Sequence, residues 1–398
     1  MHDGSRLIEV GWVIVGRIEG TDREAVFKAR DQLLADLRQM FPAFTWRMPM
    51  IQREEWHQDY RAEPAALLDY GMAERDVNHW DFVFIVTDVD LVSYYKPYAL
   101  GALSRSVSMG IMSTARLDPQ AAHQAATNAE RLAVMPRRLV ALAFHLFGHL
   151  NGLVHSEAVD EYMYNVETVD DLDQLTHFSE AQSKQLESNL NEVADVRLEE
   201  ESSAARTHPL WFYMQGVWRG RADIARAIAQ AKPWEFPFRL SRLTTAALSA
   251  LLIFLITAEA WDLGMSQTVG LVSTLSCATL ALTSFYILRR QRLLMRRETR
   301  ILSEQTVITN VSVSTVVLLG MLTTYAVLFL GALGLSVILF RHRLVATWAA
   351  SLEGSISMQH YLILAAFIAS LGLLIGALGA SFEQHHYFRH VTYIDEET

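Results

Sequence analysis

Two kinds of hydrophobic pattern divide the chain. In residues 1–235, short apolar runs alternate with amphipathic stretches, whereas residues 236–383 contain four long apolar runs. Short apolar runs are typical of buried strands, and amphipathic stretches are typical of the helices that cover them. The pattern therefore predicts an α/β domain followed by an all-α membrane region.

The first part predicts alternating strands and helices, which favours a mostly parallel sheet. Residues 81–87, DFVFIVT, form a nearly continuous apolar run and are expected to be a strand buried on both faces. Residues 98–116 favour a hairpin or edge strands. The other expected elements are a strand at 7–15, a helix that follows it to about residue 40, a strand around 44–51, and helices at 63–75, about 128–151 and 179–205.

The four long apolar runs predict four transmembrane helices. They lie at about 240–258, 268–288, 312–340 and 361–382, and each can cross a hydrocarbon core that needs about 20 residues. The third run is longer than required, and because no charge or proline interrupts it, one continuous helix is favoured. Gly372 and Gly376 have the small-xxx-small spacing that allows close helix packing, although glycine is also simply common in membrane helices.

These patterns divide the chain into an α/β domain at 1–175, a helical juxtamembrane connector at 176–235 and a membrane domain at 236–398. The spans contain almost no ionisable side chains, which argues against a transporter. Because four transmembrane helices are predicted, the lipid bilayer is the first expected partner. The net charge of −10 provides no basic surface for nucleic acid, and the single cysteine, Cys277, cannot form an internal disulfide.

Arginines predict the orientation of the spans. The loop between the first two spans, 258–267, has no lysine or arginine, whereas the segment 289–300 has six arginines. The positive-inside rule places that segment in the cytoplasm, although Arg341 and Arg343 on the third loop oppose this orientation. The N-terminal domain and the C-terminal tail are then both expected on the cytoplasmic side of an integral, multi-pass membrane protein.

The most informative stretch is HLFGHLNGLVH, at 145–155. His145 and His149 are four residues apart, so a helix places both rings on one face. Gly152 can adopt a positive φ and end that helix, and the turn would bring His155 to the same point. Three imidazoles with an open fourth position form a catalytic-type zinc site. We therefore predict zinc as the cofactor, bound by these three histidines.

The stretch resembles HxxxHxxGxxH, the zinc signature of the metzincin metallopeptidases. This resemblance implies a zincin fold and places Met163 in the turn beneath the site. The segments FIVTDVDL at 84–91 and MSTARL at 112–117 are similar to archaemetzincins in particular. In that family, the first segment forms the end of the core strand, and the second lies near the substrate-binding edge strand. The resemblance covers about residues 7–165 and implies nothing about the membrane region.

Two departures from the family pattern concern the chemistry. The family has a glutamate immediately after the first histidine, where it is the general base that activates the attacking water, and this chain has Leu146 there. Archaemetzincins also carry a second, cysteine-ligated zinc, which a chain with one cysteine lacks. Leucine cannot accept a proton, and the loss of a general base typically removes about 10²–10⁴ in rate. Either another carboxylate substitutes, or hydrolysis is not the function.

Four carboxylates are candidates for a substitute general base or for orienting a histidine at the site. Glu157 and Glu161 are the nearest substitutes for the general base in sequence, and the alternative is that they are exposed loop residues. Asp88 and Asp90 could orient a histidine by accepting its ring proton, or they could form the turn at the end of a strand.

Two functional hypotheses follow. The first is a degenerate peptidase, or pseudoenzyme, that binds zinc and serves as a peptide-binding or regulatory module on the membrane. The second is an active, membrane-tethered zinc metallopeptidase with a substitute general base. A carboxylate close to the zinc would favour the enzyme, and apolar walls around it would favour the binding module. The sequence assigns neither a substrate nor an oligomeric state.

Overall fold

The computed structural model describes residues 6–18, 20–56, 60–94, 96–122, 126–194, 209–291, 293–294, 304–352, 355–380, 389–390 and 393–398. The chain divides into two compact units. The first, called the sheet domain here, comprises Met1–Arg226, Arg297–Thr309 and Tyr393–Thr398. The second, the helical domain, comprises Ala227–Arg296 and Asn310–Thr392.

The sheet domain is built on a seven-stranded sheet. Its strands, with two further short ones, are β1 (Leu7–Val15), β2 (Thr45–Arg47), β3 (Met50–Arg53), β4 (Arg61–Ala62), β5 (Phe82–Thr87), β6 (Asp90–Leu91), β7 (Gly101–Ser104), β8 (Met109–Ser113) and β9 (Glu396–Glu397). The order is β2-β1-β5-β8-β7-β9, and β3 also pairs with β1. All pairs from β2 to β8 are parallel, whereas β7 is antiparallel to both β8 and β9.

The apolar runs of the sequence occupy the centre of this sheet. Every residue of β5 is buried, as expected for a strand that is covered on both faces. The hairpin expected at 98–116 is confirmed as β7 and β8. The single strand expected around 44–51 is wrong, because the chain forms β2 and β3 on either side of Met48 and Pro49. Proline has no N–H to donate to a ladder, so the strand is interrupted there.

Fourteen α-helices lie within the described residues. They are α1 (Gly20–Met40), α2 (Pro64–Asn78), α3 (Asn128–Leu150), α4 (Val169–Leu172), α5 (Glu180–Val193), α6 (Pro209–Arg219), α7 (Arg221–Ala231), α8 (Phe236–Arg239), α9 (Ser241–Ile256), α10 (Ala258–Met265), α11 (Val269–Arg290), α12 (Glu304–Leu339), α13 (His342–Trp348) and α14 (Met358–Ala380). Together with the sheet, they confirm an α/β part followed by a helical part.

Helices cover both faces of the sheet. Phe84 and Val86 of β5 belong to the same buried cluster as residues of α1 and α3. Ile85 points to the other face, where a Cβ on Gly71 of α2 would lie 2.6 Å from its Cδ1. The sheet is therefore enclosed between α2 on one side and α1 with α3 on the other.

Helix α3 carries two of the candidate zinc ligands, and its boundaries match the sequence prediction. It begins with a capping box in which Thr127 accepts from the main-chain N–H of Glu130, whose carboxylate accepts from the N–H of Thr127. Eleven consecutive residues, from Leu139 to His149, are buried. The helix thus places its C-terminal half, with both histidines, against the sheet.

The apolar runs form long helices in the helical domain. Among the described residues, α11, the segment Val307–Leu339 of α12, and α14 are each long and apolar enough to span a membrane. The third run is one continuous helix, as favoured. The first run corresponds to α9, which has 16 residues. It qualifies as a span only together with Ile224–Arg239, from which it is bent by 49°.

The small residues of α14 pack closely against α9. A Cβ on Gly376 would lie 2.9 Å from the Cβ of Ala247 and 3.0 Å from the carbonyl oxygen of Leu243. A Cβ on Gly372 would lie 3.3 Å from the carbonyl oxygen of Ala247. The small-xxx-small pair is therefore a helix-packing face, since larger side chains would push the two backbones apart.

Parts of two expectations lie outside the described residues. The helix expected at 179–205 is observed as α5, which ends at Val193, and residues 195–208 are not described. Much of the arginine-rich segment, at 292 and 295–303, is also outside them. The loop expected at 258–267 is largely the short helix α10.

Candidate metal centre

The three histidines of the sequence motif come together at the end of α3. Each of His145, His149 and His155 offers one ring nitrogen, and these nitrogens all lie within 4.8 Å of one another. The first two side chains are buried, whereas the third is exposed. The cluster therefore lies at the boundary of the core, with its open side at His155.

Gly152 turns the chain so that the third histidine can join the cluster. Its φ is +86°, in the left-handed region that glycine adopts without strain. The N–H of Gly152 donates to the carbonyl of His149 at 3.0 Å, and the N–H of Leu153 donates to the carbonyl of Gly148 at 3.0 Å. These two bonds form a Schellman motif, which ends α3 and reverses the chain, as predicted from the sequence.

Main-chain carbonyls set the orientation of the two buried rings. Nδ1 of His145 lies 2.7 Å from the carbonyl oxygen of Tyr162, and Nδ1 of His149 lies 3.1 Å from that of Leu153. Because a carbonyl oxygen can only accept, Nδ1 carries the proton in both neutral rings. Each Nε2 then presents a lone pair, which is the form that binds a metal ion.

The separation of the nitrogens fits a tetrahedral ion. Nε2 of His149 lies 3.2 Å from Nε2 of His155. Two nitrogens that each lie about 2.0–2.1 Å from a tetrahedral zinc are separated by about 3.3 Å. Two lone pairs at this distance repel each other unless a cation or a proton lies between them. The donor set and its spacing therefore match a three-histidine zinc site.

Met163 packs directly beneath the histidine-bearing turn of α3. Its side chain is fully buried, and a Cβ on Gly148 would lie only 2.2 Å from its sulfur. Gly148 immediately precedes His149, so the absence of a side chain there lets the thioether approach the helix between the two buried histidines. Met163 therefore contacts the turn of α3 that leads into His149, and its role as the methionine of the turn beneath the site stays a prediction.

Leu146 is enclosed by the sheet. It is fully buried, and its Cδ1 lies 3.4 Å from the position of a Cβ on Gly101 and 3.3 Å from that of a Cβ on Gly110. These glycines belong to β7 and β8, so the leucine fills a space that two strands leave open. The wall next to His145 is therefore apolar at this point.

The two candidate aspartates have partners other than the buried histidines. Asp90 forms a two-pronged ion pair with Arg116, at 2.8 and 2.7 Å, and Asp88 lies close enough to Asp22 for its charge to act on that carboxyl. Carbonyls, and not these aspartates, orient the rings of His145 and His149. Neither aspartate therefore orients His145 or His149, and an orienting role toward His155 stays a prediction.

The two glutamates lie on the segment that follows His155. Glu157 is exposed. The carboxylate of Glu161 accepts a hydrogen bond from Nε2 of Gln182, at 2.8 Å. That contact connects Glu161 to the beginning of α5, and its role as a substitute base stays a prediction.

Burial perturbs the pKa of two other acids in the sheet domain. Burial raises the pKa of Asp22, and the neighbouring carboxylates Asp118 and Asp88 raise it further, although Arg131 opposes them. Burial also raises the pKa of Tyr162 to about 12, with a contribution from the charge of Asp36. The Tyr162 phenol therefore keeps its proton at neutral pH and cannot serve as a base.

Three contributors to the site could not be read from the sequence. Tyr162 and Leu153 act through their carbonyls, which every residue has. Arg105 follows β7, and its Nη2 donates to the Leu153 carbonyl at 3.2 Å, the same oxygen that orients His149. Only the folded chain brings these groups to the histidines.

Replacement of Gly152 by alanine should weaken metal binding. A Cβ would meet no atom closer than 3.4 Å, so the cost is the left-handed backbone, about 1–2 kcal/mol. Relief of this strain would move His155, and we expect the dissociation constant for zinc to rise at least about tenfold. Gly20→Ala is the matched control, because Gly20 also has a positive φ (+59°) and open space around it. Equal zinc affinity in the two variants, measured by competition with a chelator, would contradict this account of the turn.

No protein-family model matches this sequence. No curated protein matches it either. Similar solved structures include an archaemetzincin from Methanopyrus kandleri, with 18% identity, 48% of this chain and 98% of that chain covered, and a TM-score of 0.36. A zinc-dependent peptidase from Methanocorpusculum labreanum has 18% identity, with 44% and 99% covered and a TM-score of 0.34. An archaemetzincin from Archaeoglobus fulgidus, complexed with malonate, has 15% identity, with 45% and 99% covered and a TM-score of 0.31.

Proposed function

We propose that this protein is a membrane-anchored, metzincin-type zinc protein that binds extended peptides and has lost efficient peptide hydrolysis. The observation that carries the proposal is the combination of three converging histidines with a leucine at the position after the first of them. The first feature supplies a metal site, and the second removes the proton acceptor that hydrolysis needs there.

His145, His149 and His155 would hold the zinc through their Nε2 atoms. A zinc ion with an open fourth position supplies Lewis acidity, which polarises a carbonyl group. The carbonyls of Tyr162 and Leu153 keep two of the imidazoles in the metal-binding tautomer. The exposed edge at His155 leaves room for a ligand to approach from solvent.

The apolar wall formed by Leu146 favours binding over cleavage. Leucine neither takes a proton from a water molecule nor passes one to a leaving amine. Its Cδ1 methyl group fills the space where Cβ atoms on Gly101 and Gly110 would lie, and the fully buried side chain leaves no room for water there. A peptide carbonyl at the metal would then be held and polarised without a base to complete its hydrolysis.

One experiment tests this function. The full-length protein in detergent is analysed for bound metal and is then incubated with a library of fluorescent peptides, with both binding and cleavage recorded. We expect about one zinc per chain, detectable binding and little cleavage. Efficient cleavage would instead establish the second hypothesis, a working metallopeptidase with a substitute base. Absence of zinc would contradict both hypotheses.

We further propose that the sheet domain and the C-terminal tail face the cytoplasm. The six arginines in 289–300 support this orientation, since the loop at 258–267 has no basic residue. The long apolar helices α11, α12 and α14 would then anchor the zinc site at the cytoplasmic face of the bilayer.

Cysteine labelling of intact cells should reveal this topology. In a Cys277→Ser background, Ser266→Cys is expected to react with a membrane-impermeant maleimide added from outside. Thr299→Cys, in the arginine-rich segment, should react only after the cells are permeabilised. Labelling of Thr299→Cys in intact cells would reverse the proposed orientation.

A further inference from the structure

The last residues of the sequence add a strand to the edge of the sheet. Strand β9 pairs antiparallel with β7, with Glu397 opposite Ala102 and Glu396 opposite Leu103. The N–H of Thr398 donates to the carbonyl of Gly101 at 2.9 Å, and the N–H of Gly101 donates to the carbonyl of Thr398 at 3.3 Å. The tail, Tyr393–Thr398, thereby takes up the hydrogen-bonding groups on the outer side of β7.

Side chains as well as backbone hold the tail in place. Tyr393 and Ile394 are 2% and 5% exposed, so they are buried where the tail enters the sheet domain. The carboxylate of Asp395 accepts from the main-chain N–H of Arg105, and the N–H of Asp395 donates to the carbonyl of Leu103 at 2.9 Å. The tail is therefore held by strand pairing, by two buried apolar side chains and by one carboxylate.

Groups at both ends of β7 contact residues that adjoin the histidines. At one end, Gly101 pairs with Thr398 and lies against Leu146, which lies on α3 between two of the histidines. At the other end, the side chain of Arg105 donates to the carbonyl that orients His149. The strand with which the tail pairs therefore borders the candidate metal centre.

A free sheet edge is a template for an extended peptide, because its N–H and C=O groups form main-chain hydrogen bonds with any sequence. We propose that the tail is a tethered ligand of this edge. It occupies in cis the position that an extended acidic peptide would take in trans, antiparallel to β7. This inference rests on the proposed peptide-binding function, and what it adds is a built-in competitor, namely the chain's own tail on the outer side of β7.

Tethering gives the tail a strong advantage. A segment linked to its own site has an effective concentration that reaches about the millimolar range for short flexible links. A free peptide of equal intrinsic affinity, added at micromolar concentration, must then compete with a tail whose effective concentration is much higher. We therefore expect release of the tail to tighten peptide binding at least about tenfold.

A disulfide cross-link tests whether the tail occupies the edge. In a full-length Cys277→Ser background, Ala102→Cys is combined with Glu397→Cys, since the two positions are directly opposite in the ladder. Opposed positions of this kind have Cα separations that a disulfide can bridge. The matched control combines Ala102→Cys with Glu396→Cys, which is one position out of register. We expect oxidation to cross-link the first pair and not the second, and a failure of the first pair would overturn the proposal.

Peptide binding tests the competition. The probe is a fluorescein-labelled peptide with the tail sequence, Tyr-Ile-Asp-Glu-Glu-Thr, and binding is read by anisotropy on detergent-purified full-length protein. A variant without residues 393–398 should bind it at least about tenfold more tightly than the intact chain. The oxidised Ala102→Cys/Glu397→Cys protein should not bind it, and reduction should restore the affinity of the intact chain.

A milder variant accompanies the deletion, because the deletion removes three buried side chains, those of Tyr393, Ile394 and Thr398. Thr398→Pro keeps Tyr393 and Ile394 but replaces the Thr398 side chain and removes the N–H that donates to the carbonyl of Gly101, so it should tighten peptide binding to a smaller extent. Equal affinities for the intact, deleted and proline proteins would overturn the competition. If the cross-link forms and no variant binds peptide, the proposed peptide-binding function is wrong, and the tail is then not a competitor.

Discussion

Replacement of Leu146 by glutamate is expected to raise peptide hydrolysis by about 10²-fold or more. The side chain lies one residue after His145 and three before His149 on the same helix. A carboxylate there could take the proton of the attacking water and pass it to the leaving amine. The three histidines and β7 would already be in place, so the substitution adds only the missing proton acceptor.

Burial makes a carboxylate at position 146 energetically costly. Leu146 is fully enclosed between α3 and the two sheet glycines, and a buried carboxylate without a partner is costly. A neighbouring zinc ion would provide the compensating charge. Zinc content and thermal stability must therefore be measured together with activity, and an increase in activity is expected only where zinc is retained.

Leu146→Gln is the matched control for the glutamate variant. Glutamine has nearly the same size and polarity but accepts no proton, so it should leave activity at the level of the parent protein. Two results would contradict the prediction. Strong activity in the parent would mean that a substitute base exists, and Glu157→Ala and Glu161→Ala are the variants that would identify it. No gain in a zinc-loaded glutamate variant would mean that the cleft has also lost its geometry for hydrolysis.

Simultaneous replacement of His145 and His149 by alanine should reduce the zinc content of the protein to near zero. The double variant keeps only His155, which is exposed, and a single imidazole does not retain zinc through purification. A ligand that binds only the folded state also stabilises it. A chelator should therefore lower the melting temperature of the parent and leave that of the double variant unchanged.

A second double variant, His342→Ala with His360→Ala, controls for the loss of two imidazoles. Both of these histidines lie in the helical domain, and His360 contacts Ser357 through Nδ1. Zinc content measured by mass spectrometry of metals should stay at the level of the parent in this control. Full retention of zinc in the His145/His149 variant would show that the ion binds elsewhere.

The strands and helices that the sequence predicted well are those whose signals are local. The run DFVFIVT predicted a buried strand, and β5 is buried along its whole length. The predicted boundaries of α3 differ from the observed ones by one residue at its C-terminal end, because periodicity and the turn at Gly152 are both written in neighbouring residues. The error at 44–51 arose where Pro49 interrupts the segment FTWRMPMI.

Four features could be read directly from the order of the residues: the spacing of the three histidines, the glycine that turns the chain between them, the leucine beside the first, and the long apolar helices. The carbonyls that orient the rings, the packing of Leu146 and the strand that covers β7 become visible only once the chain is folded. Asp395 and Arg105 are 290 positions apart, and no local pattern connects them. The physical reason is that periodicity and backbone preference act over a few residues, whereas the neighbours of a carbonyl or a sheet edge are set by long-range packing of the whole domain.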